Sequence, residues 1–316
     1  MTRHNPLTKY MLALTMYFRE FGPMMKTNQS SGILLRLLSV ALMAAMSAAV
    51  HGAAQTLPVG QIMFWRSALA LFPICLYVWV LGAFPHGLRP KHPRLHITRG
   101  LFGALSMALS FISLAYLPVA NAQAIAYLAP VLTLPLAALV LKERLSGRLI
   151  VCVAMGFLGV LVLLWDALEA PEDGMWIGVA AALGYAVTMA FVRVHIKKMT
   201  NSESASAIAF FFAIVSASVG LLTLPFGWAP LNWSTFGWLA LAGFLGGAGH
   251  IASSEAVARA PVSTLAPFDF TGLIWALGFD LILFATLPNA LGWFGMTMIM
   301  TAALIVAIAP KRPEQA

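Results

Sequence analysis

The stretch LFGALSMALSFISLAYLPVANAQAIAYLAPVLTLPLAALVL, residues 101–141, contains no Asp, Glu, Lys or Arg. A membrane-spanning helix needs roughly 20 apolar residues, so this stretch is too long for one span and long enough for two. Leu117-Pro118 divides it, because proline interrupts the interior of a helix but is tolerated where a new helix begins. The stretch therefore predicts two consecutive transmembrane helices joined by a very short loop.

The composition of the whole chain supports this interpretation. Of the 316 residues, 60% are hydrophobic and only 9% are charged, and the mean hydropathy is +0.86. Soluble domains carry about 25% charged residues, so the chain is expected to be an all-α membrane protein. Cys75 and Cys152 both lie in apolar runs, which favours packing roles over a disulfide.

The span-length criterion predicts ten transmembrane helices. Outside residues 101–141 they are Gly32–Ala53, Gln61–Leu81, Leu149–Trp165, Gly174–Val192, two spans in Ser204–Ser254 divided by PFGWAPLNWS, Leu265–Phe284 and Leu291–Ala309.

The distribution of basic residues tests this prediction, because successive loops alternate between the two sides of the membrane. One side would carry 17 of the 19 basic residues: Arg3, Lys9, Arg19, Lys26, Arg89, Lys91, Arg94, Arg99, Lys142, Arg144, Arg148, Arg193, Lys197, Lys198, Arg259, Lys311 and Arg312. The other two, Arg36 and Arg66, lie within spans. Cytoplasmic loops are rich in Lys and Arg, so both termini are expected in the cytoplasm of a bacterium, with the chain in its inner membrane. The net charge of +8 then needs no nucleic-acid partner.

The two halves of the chain resemble each other weakly. At an offset of 143 residues, Pro118-Val119 falls on Pro261-Val262, and each half contains five predicted spans. Because five is odd, the second copy must enter the membrane from the opposite side, which predicts two inverted five-helix repeats of the kind found in secondary transporters. The predicted division is a cytoplasmic tail (1–31), a first repeat (32–165), a second repeat (174–309) and a short cytoplasmic tail (310–316). Translation from Met1 and from the region of Met24 and Met25 are both open.

Over residues 32–309 the chain resembles EamA-type members of the drug/metabolite transporter superfamily. The resemblance rests on FWRSALAL (64–71), AYLAPVLTLPLAALVLKERLSGR (126–148) and APFDFTGLIWA (266–276). The chain departs from the pattern at Ala285-Thr286-Leu287, where the second copy often carries an acid. The resemblance implies a substrate cavity between the two halves that opens alternately to each side. Such proteins move amino acids, nucleosides, vitamins such as riboflavin and other small metabolites.

Two acids in the ninth span are the leading candidates for pathway residues. Asp269 and Asp280 are eleven residues apart, so both project from nearly the same helix face, roughly 16 Å apart along the axis. An acid exposed to lipid costs about 2.5–3.5 kcal/mol on insertion scales, so this face is expected to line a water-accessible cavity. Similar depth in the membrane suggests two ion pairs, Arg66 with Asp280 and Arg36 with Asp269.

Further candidates have both a functional and a packing interpretation. His250 could couple transport to protons or be a hydrogen-bonded packing residue. Tyr127 and Trp275 could stack on a flat substrate or simply pack. Gly243 and Gly247 form a GxxxG pair that favours close helix packing, although it could also widen a cavity wall. Three prolines are predicted to interrupt corresponding helices of the two halves near a central site: Pro130, Pro135 and Pro267.

The sequence thus predicts a secondary transporter of a small organic metabolite. Few, scattered polar residues favour a neutral, amphipathic or aromatic substrate, such as riboflavin or a hydrophobic or aromatic amino acid; export of amino acids or drug-like metabolites is the alternative. No nucleotide-binding GxxxxGK[ST] loop, metal-ligand spacing or HExxH motif occurs in the sequence, which argues against ATP driving, a metal site, a cofactor and an intramembrane enzyme. A channel is disfavoured because no ring of like residues is evident. The direction of transport and the oligomeric state stay open.

We expect cysteine labelling to place residues 82–96 and residues 166–173 in different compartments, because these loops are separated by three predicted spans. The measurement is the reaction of single cysteines in each loop with a membrane-impermeant thiol reagent in intact and opened vesicles. Labelling of both loops from one side would contradict the ten-span topology.

Overall fold

Each of the ten predicted spans contains an α-helix in the part of the chain that the structure describes. A computed structural model describes residues 29–129, 131–132, 147–163, 165, 173–199, 202–260, 265 and 268–308. The α-helices within these residues are α1 Gln29–Ala54, α2 Val59–Val80, α3 Pro93–Tyr116, α4 Val119–Ala126, α5 Gly147–Leu163, α6 Met175–Met199, α7 Ala205–Leu221, α8 Trp233–Arg259, α9 Thr271–Phe284 and α10 Ala290–Ile308. Short 3-10 helices lie at His86–Leu88 and Leu224–Phe226. The prediction of an all-α membrane protein is confirmed.

Six of these helices are long and apolar enough to cross a membrane. The corresponding apolar segments are Ser30–Ala54, Val59–Val80, Pro93–Tyr116, Met175–Val192, Ser206–Phe226, which continues through the 3-10 helix after α7, and Trp233–Ala256. Three shorter apolar segments are Ile150–Leu163, Thr271–Phe284 and Ala290–Ile305. Large apolar side chains cover the outside: Leu34 is 66%, Phe72 65% and Ile282 77% exposed. In water such a surface would aggregate, and in a bilayer it is the surface that contacts lipid.

The helix contacts follow a two-fold pattern when the two halves are exchanged. Exchanging α1–α5 with α6–α10 in order turns the α1–α8 contact into the α3–α6 contact, and both are present. It likewise turns the α1–α9 contact into the α4–α6 contact. Helix α2 packs on α8 as α3 packs on α7. The pairs α2–α7 and α5–α10 map onto themselves. This is the arrangement expected of two five-helix repeats related by a pseudo-two-fold axis in the membrane plane.

Small residues bring the paired helices together. A Cβ added at Gly159 in α5 would lie 2.9 Å from the carbonyl oxygen of Gly295 in α10, and one added at Gly247 in α8 would lie 2.9 Å from the carbonyl oxygen of Ala70 in α2. Backbones approach this closely only without side chains between them. Gly243 contacts α2 in the same way, and neither it nor Gly247 lines the central cavity. The contacts of the GxxxG pair are thus those of close packing between α2 and α8.

Some helix limits differ from the sequence-based ones. The prediction placed Arg94 and Arg99 in a cytoplasmic loop, but α3 already begins at Pro93. Proline at the first position of a helix starts it efficiently, so the apolar span gains two additional turns that carry these arginines. The N-terminal tail, the Lys142-Glu143-Arg144 element, Pro130, Pro135 and Pro267 lie outside the described residues.

We expect Gly243→Ala to destabilise the protein, whereas Gly237→Ala in the same helix does not. Alanine is intrinsically better in a helix by roughly 1 kcal/mol, and a Cβ at Gly237 would have no heavy atom within 4 Å. A Cβ at Gly243 would instead lie 2.6 Å from the Leu69 Cβ, and such overpacking costs about 1–3 kcal/mol. Thermal unfolding of the two variants in detergent is the measurement, and equal melting temperatures would contradict the close α2–α8 contact.

A cavity between the two halves

A central cavity of about 420 Å³ lies between the two halves. Its described lining comes from α1–α4 and α6–α9 together with the residues that directly follow α4 and precede α9, whereas none comes from α5 or α10. The volume is within the range of small-molecule sites, about 300–1,000 Å³. Each half contributes the corresponding four of its five helices, so a ligand here would contact both repeats.

The predicted ion pair of Arg36 with Asp269 is confirmed and joins the two halves at the cavity. Arg36 in α1 donates from Nε to the Asp269 carboxylate just before α9, and its Nη1 donates to the Ser253 hydroxyl of α8 at 2.6 Å. All three side chains line the cavity, and those of Arg36 and Asp269 are 22% and 28% exposed. The arginine charge is therefore balanced inside the structure.

The predicted ion pair of Arg66 with Asp280 is wrong. Asp280 is 2% exposed and accepts hydrogen bonds from the backbone N–H groups of Val119 and Ala120, at 3.0 and 2.6 Å. Asp280 therefore does not line the cavity but caps the N-terminus of α4, where Pro118 offers no side-chain acceptor. Similar depth along two helix axes does not determine which neighbour a side chain reaches.

Helices α4 and α9 are interrupted at equivalent positions. Helix α4 ends at Ala126, with Tyr127 as its C-cap, and α9 begins after Phe270, its N-cap. Tyr127 and Phe270 are 143 residues apart, the offset between the repeats, and their rings pack with centroids 5.2 Å apart. The Tyr127 hydroxyl also donates to the Asp269 carbonyl oxygen at 2.6 Å. Paired interruptions in corresponding helices are typical of transporter binding sites.

Two further arginines lie at the cavity without an acidic partner among the described side chains. Arg66 in α2 is 3% exposed, and its Nη2 lies 3.1 Å from the thioether of Met46, a weak acceptor. Arg99 in α3 is 8% exposed, and its guanidinium lies 4.1 Å from the ring centroid of Phe212. The Nε of Arg66 and the Nε and Nη1 of Arg99 are buried without a hydrogen-bond acceptor.

The remaining candidates are placed differently. His250 of α8 lines the cavity, where its ring meets that of Phe212 edge-on at 6.2 Å. Tyr127 also lines it. Trp275 is 45% exposed on the outside of α9 and does not line the cavity. The described cavity lining includes Gly272, one turn earlier on the same helix, but not Trp275. The structure therefore gives no support to stacking of Trp275 on a substrate in this cavity.

Glu203, in the α6–α7 loop, holds the two halves together at the end that carries the basic loops. Its carboxylate accepts from the N–H groups of Lys91 and His92 at 3.1 and 2.7 Å, and Nε2 of His96 lies 3.1 Å away. Burial by itself raises the pKa of Glu203, but the bonds from Lys91, His96 and His92 lower it to about 2. The carboxylate thus stays ionised at physiological pH and caps the start of α3 from the opposite repeat.

Sequence reasoning missed Arg99 and Glu203 as important residues. Arg99 was assigned to a loop because it is the last of four basic residues that precede the apolar run. Pro93 indicates that the helix begins earlier, because proline is favoured at the first position of a helix. Glu203 lies in a polar loop, NSES, and nothing in its sequence neighbourhood indicates that it contacts residues 91–96, which are more than 100 positions away.

Comparison with known proteins supports the family resemblance. Residues 30–165 match the EamA-like transporter family. This match covers the first of the two predicted repeats, and the resemblance to EamA-type drug/metabolite transporters is confirmed.

Full-length relatives are transporters as well. The chain is 25% identical over 287 residues to the pseudopaline exporter of Pseudomonas aeruginosa, covering 89% of this chain and 97% of that one. It is 27% identical over 285 residues to the S-adenosylmethionine uptake transporter of Rickettsia felis, covering 88% and 92%. One solved crystal structure has the same fold, with a TM-score of 0.61, 20% identity and coverage of 89% of this chain and 98% of the other. The protein is thus a multi-pass membrane protein of a kind that transports small molecules.

We expect Asp280→Ala to destabilise the protein by about 1–3 kcal/mol, because two buried N–H groups lose their acceptor. Asp280→Asn, which keeps one oxygen, should cost less. Because Asp280 and Arg66 do not touch, adding Arg66→Gln to Asp280→Asn should change the free energy of unfolding additively. Unfolding of the single and double variants in detergent measures this, and rescue of Asp280→Asn by Arg66→Gln would restore the rejected ion pair.

Proposed function

We propose that the protein is a secondary active transporter that carries a small organic metabolite across the bacterial inner membrane by alternating access to the central cavity. The observation that carries this proposal is the cavity itself, which is built from corresponding helices of both halves. Rocking of one half against the other would open it first to one side and then to the other.

The contacts around the cavity support such a motion. At the cavity, polar links such as Arg36–Asp269 cross between the halves, and Glu203 links them at the end that carries the basic loops. Beyond the other end, Gln61 of α2 exchanges two hydrogen bonds of 2.9 Å with the backbone of Ala229 in the α7–α8 loop. Small sets of polar contacts at two ends are easier to break one at a time than a continuous apolar interface.

The finer features of transport are also proposals. Riboflavin and hydrophobic or aromatic amino acids are the substrates to screen first, and protons are the proposed coupling ion because the titratable His250 and Asp269 line the cavity. The relatives include a protein named as an exporter and one named as an uptake transporter, so export and uptake are tested together. Transport assays in proteoliposomes with and without a proton gradient address all three features.

We expect a cysteine at position 110 to react with an impermeant thiol reagent from both sides of sealed proteoliposomes. Ser110 lines the cavity, and replacing Cys75 and Cys152, the chain's two cysteines, with alanine provides a thiol-free background. Ile282→Cys, at a position 77% exposed to lipid, is the matched control and should react from neither side.

The reagent must not enter the vesicles during the assay. An open channel would let it through, whereas a transporter with alternating access would not. Reaction of the cysteine at position 110 from one side alone, in every gradient tried, would refute alternating access through this cavity.

A further inference from the structure

We propose that the cavity binds a small amphipathic organic oxyanion, whose carboxylate or phosphate group contacts Arg66 and Arg99. This inference rests on the proposed function in that the bound anion would be the transported substrate. It replaces the preference for a neutral substrate that the scattered polar residues of the sequence suggested.

The charge balance of the cavity is the first argument. Three arginines and one carboxylate line it, and that carboxylate, Asp269, is engaged by Arg36. The ion pairs among the described side chains are Arg36–Asp269, His92–Glu203, His96–Glu203 and Arg259–Glu255. Neither Arg66 nor Arg99 takes part in any of them, so the described cavity has an excess of positive charge.

The energetic cost of this arrangement is the second argument. Arginine stays protonated in proteins, and buried charges are normally paired because removing them from water is costly. Charged residues within membrane spans mark substrate pathways for the same reason. Only 3% of Arg66 and 8% of Arg99 is exposed. An anionic ligand would supply the missing partner.

The surroundings of both guanidinium groups favour the recognition of a ligand. A Cβ at Gly246 would lie 2.7 Å from Nη2 of Arg66, and one at Gly103 would collide with Nη1 of Arg99. Glycine at these two positions thus makes room for the guanidinium groups. Phe212 stacks on one face of Arg99, which fixes the plane of the fork while its N–H edge stays free. A planar fork with free N–H groups matches a carboxylate or phosphate with two parallel hydrogen bonds.

The rest of the lining determines the other part of the ligand. Beside polar residues such as Ser110 and Gln123, the lining contains apolar and polarisable side chains: Met43, Met107, Met189, Phe111 and Phe212. Methionine adapts to varied apolar shapes and contacts aromatic groups favourably. The matching ligand therefore carries an anionic head and an apolar or aromatic body, as an aromatic amino acid or organic acid does and as riboflavin does not.

The test is ligand-induced thermal stabilisation of the purified full-length protein in detergent. The probes are phenylacetate, phenyl phosphate and the neutral isostere phenylacetamide. Stabilisation by phenylacetate alone supports a carboxylate ligand, by phenyl phosphate alone a phosphate ligand, and by both the shared oxyanion chemistry. Stabilisation by the amide to the same extent as by the acids, or by none of the probes, overturns the inference.

The variants Arg66→Gln and Arg99→Gln should each bind the effective probe about 10- to 100-fold more weakly, the usual consequence of losing a charged hydrogen-bond pair. Arg259→Gln, which removes an arginine paired with Glu255 away from the cavity lining, should leave binding unchanged. Unaltered binding in both cavity variants would overturn the inference.

A second readout separates ligand binding from a structural role. Removal of an unpaired buried charge relieves a desolvation cost, so without ligand both cavity variants should melt at the wild-type temperature or above it. Melting well below the wild-type temperature would assign the two arginines to structure and overturn the inference.

The two proposals can fail separately. If the cysteine at position 110 reacts from both sides while no probe binds, only the anion inference fails. If the probes bind while that cysteine reacts from one side alone, only the proposed function fails.

Discussion

The start of a helix leaves backbone N–H groups without an intrahelical acceptor, and the need to satisfy them where they are buried shapes how the two halves of the protein meet. Helix α4 begins at Val119 with a proline before it and therefore with no side-chain cap of its own. Asp280, from the opposite repeat, accepts its first N–H groups. Glu203 does the same for the residues that lead into α3. Two carboxylates of the second half thus complete helices of the first.

Among the described residues, only one of the three cavity arginines, Arg36, has an acidic partner. Asp280 and Glu203 are both committed to backbone groups and Asp269 to Arg36. Arg66 and Arg99 consequently face the cavity without a described acid to balance them. An arrangement of this kind costs stability in the empty protein, and functional sites are where such costs persist. The acids that cap helix starts therefore lie apart from Arg66 and Arg99 at the cavity.

Much of the fold could be predicted from the sequence because transmembrane helices depend on local composition. An apolar run of sufficient length must be helical in lipid, whatever its neighbours, so helical structure was correctly expected at each of ten spans. The inverted repeat followed from the odd number of spans in each half. Helix limits were less accurate where a helix continues beyond the apolar run: the placement of Arg99 failed because a basic residue at a helix end looks the same in sequence as one in a loop.

The sequence by itself determined that this chain crosses a membrane many times, that its halves are related by inversion, and that Arg36 lies at the same depth as Asp269. Tertiary structure alone decided that Asp280 caps α4 and does not pair with Arg66, that Trp275 faces outward, and that Arg99 reaches the central cavity. The physical reason is that hydrophobicity and helix period fix a residue's depth and its direction around its own axis. Which neighbouring helix stands in that direction is fixed only by long-range packing, here by glycines that let α2 and α8 approach each other closely.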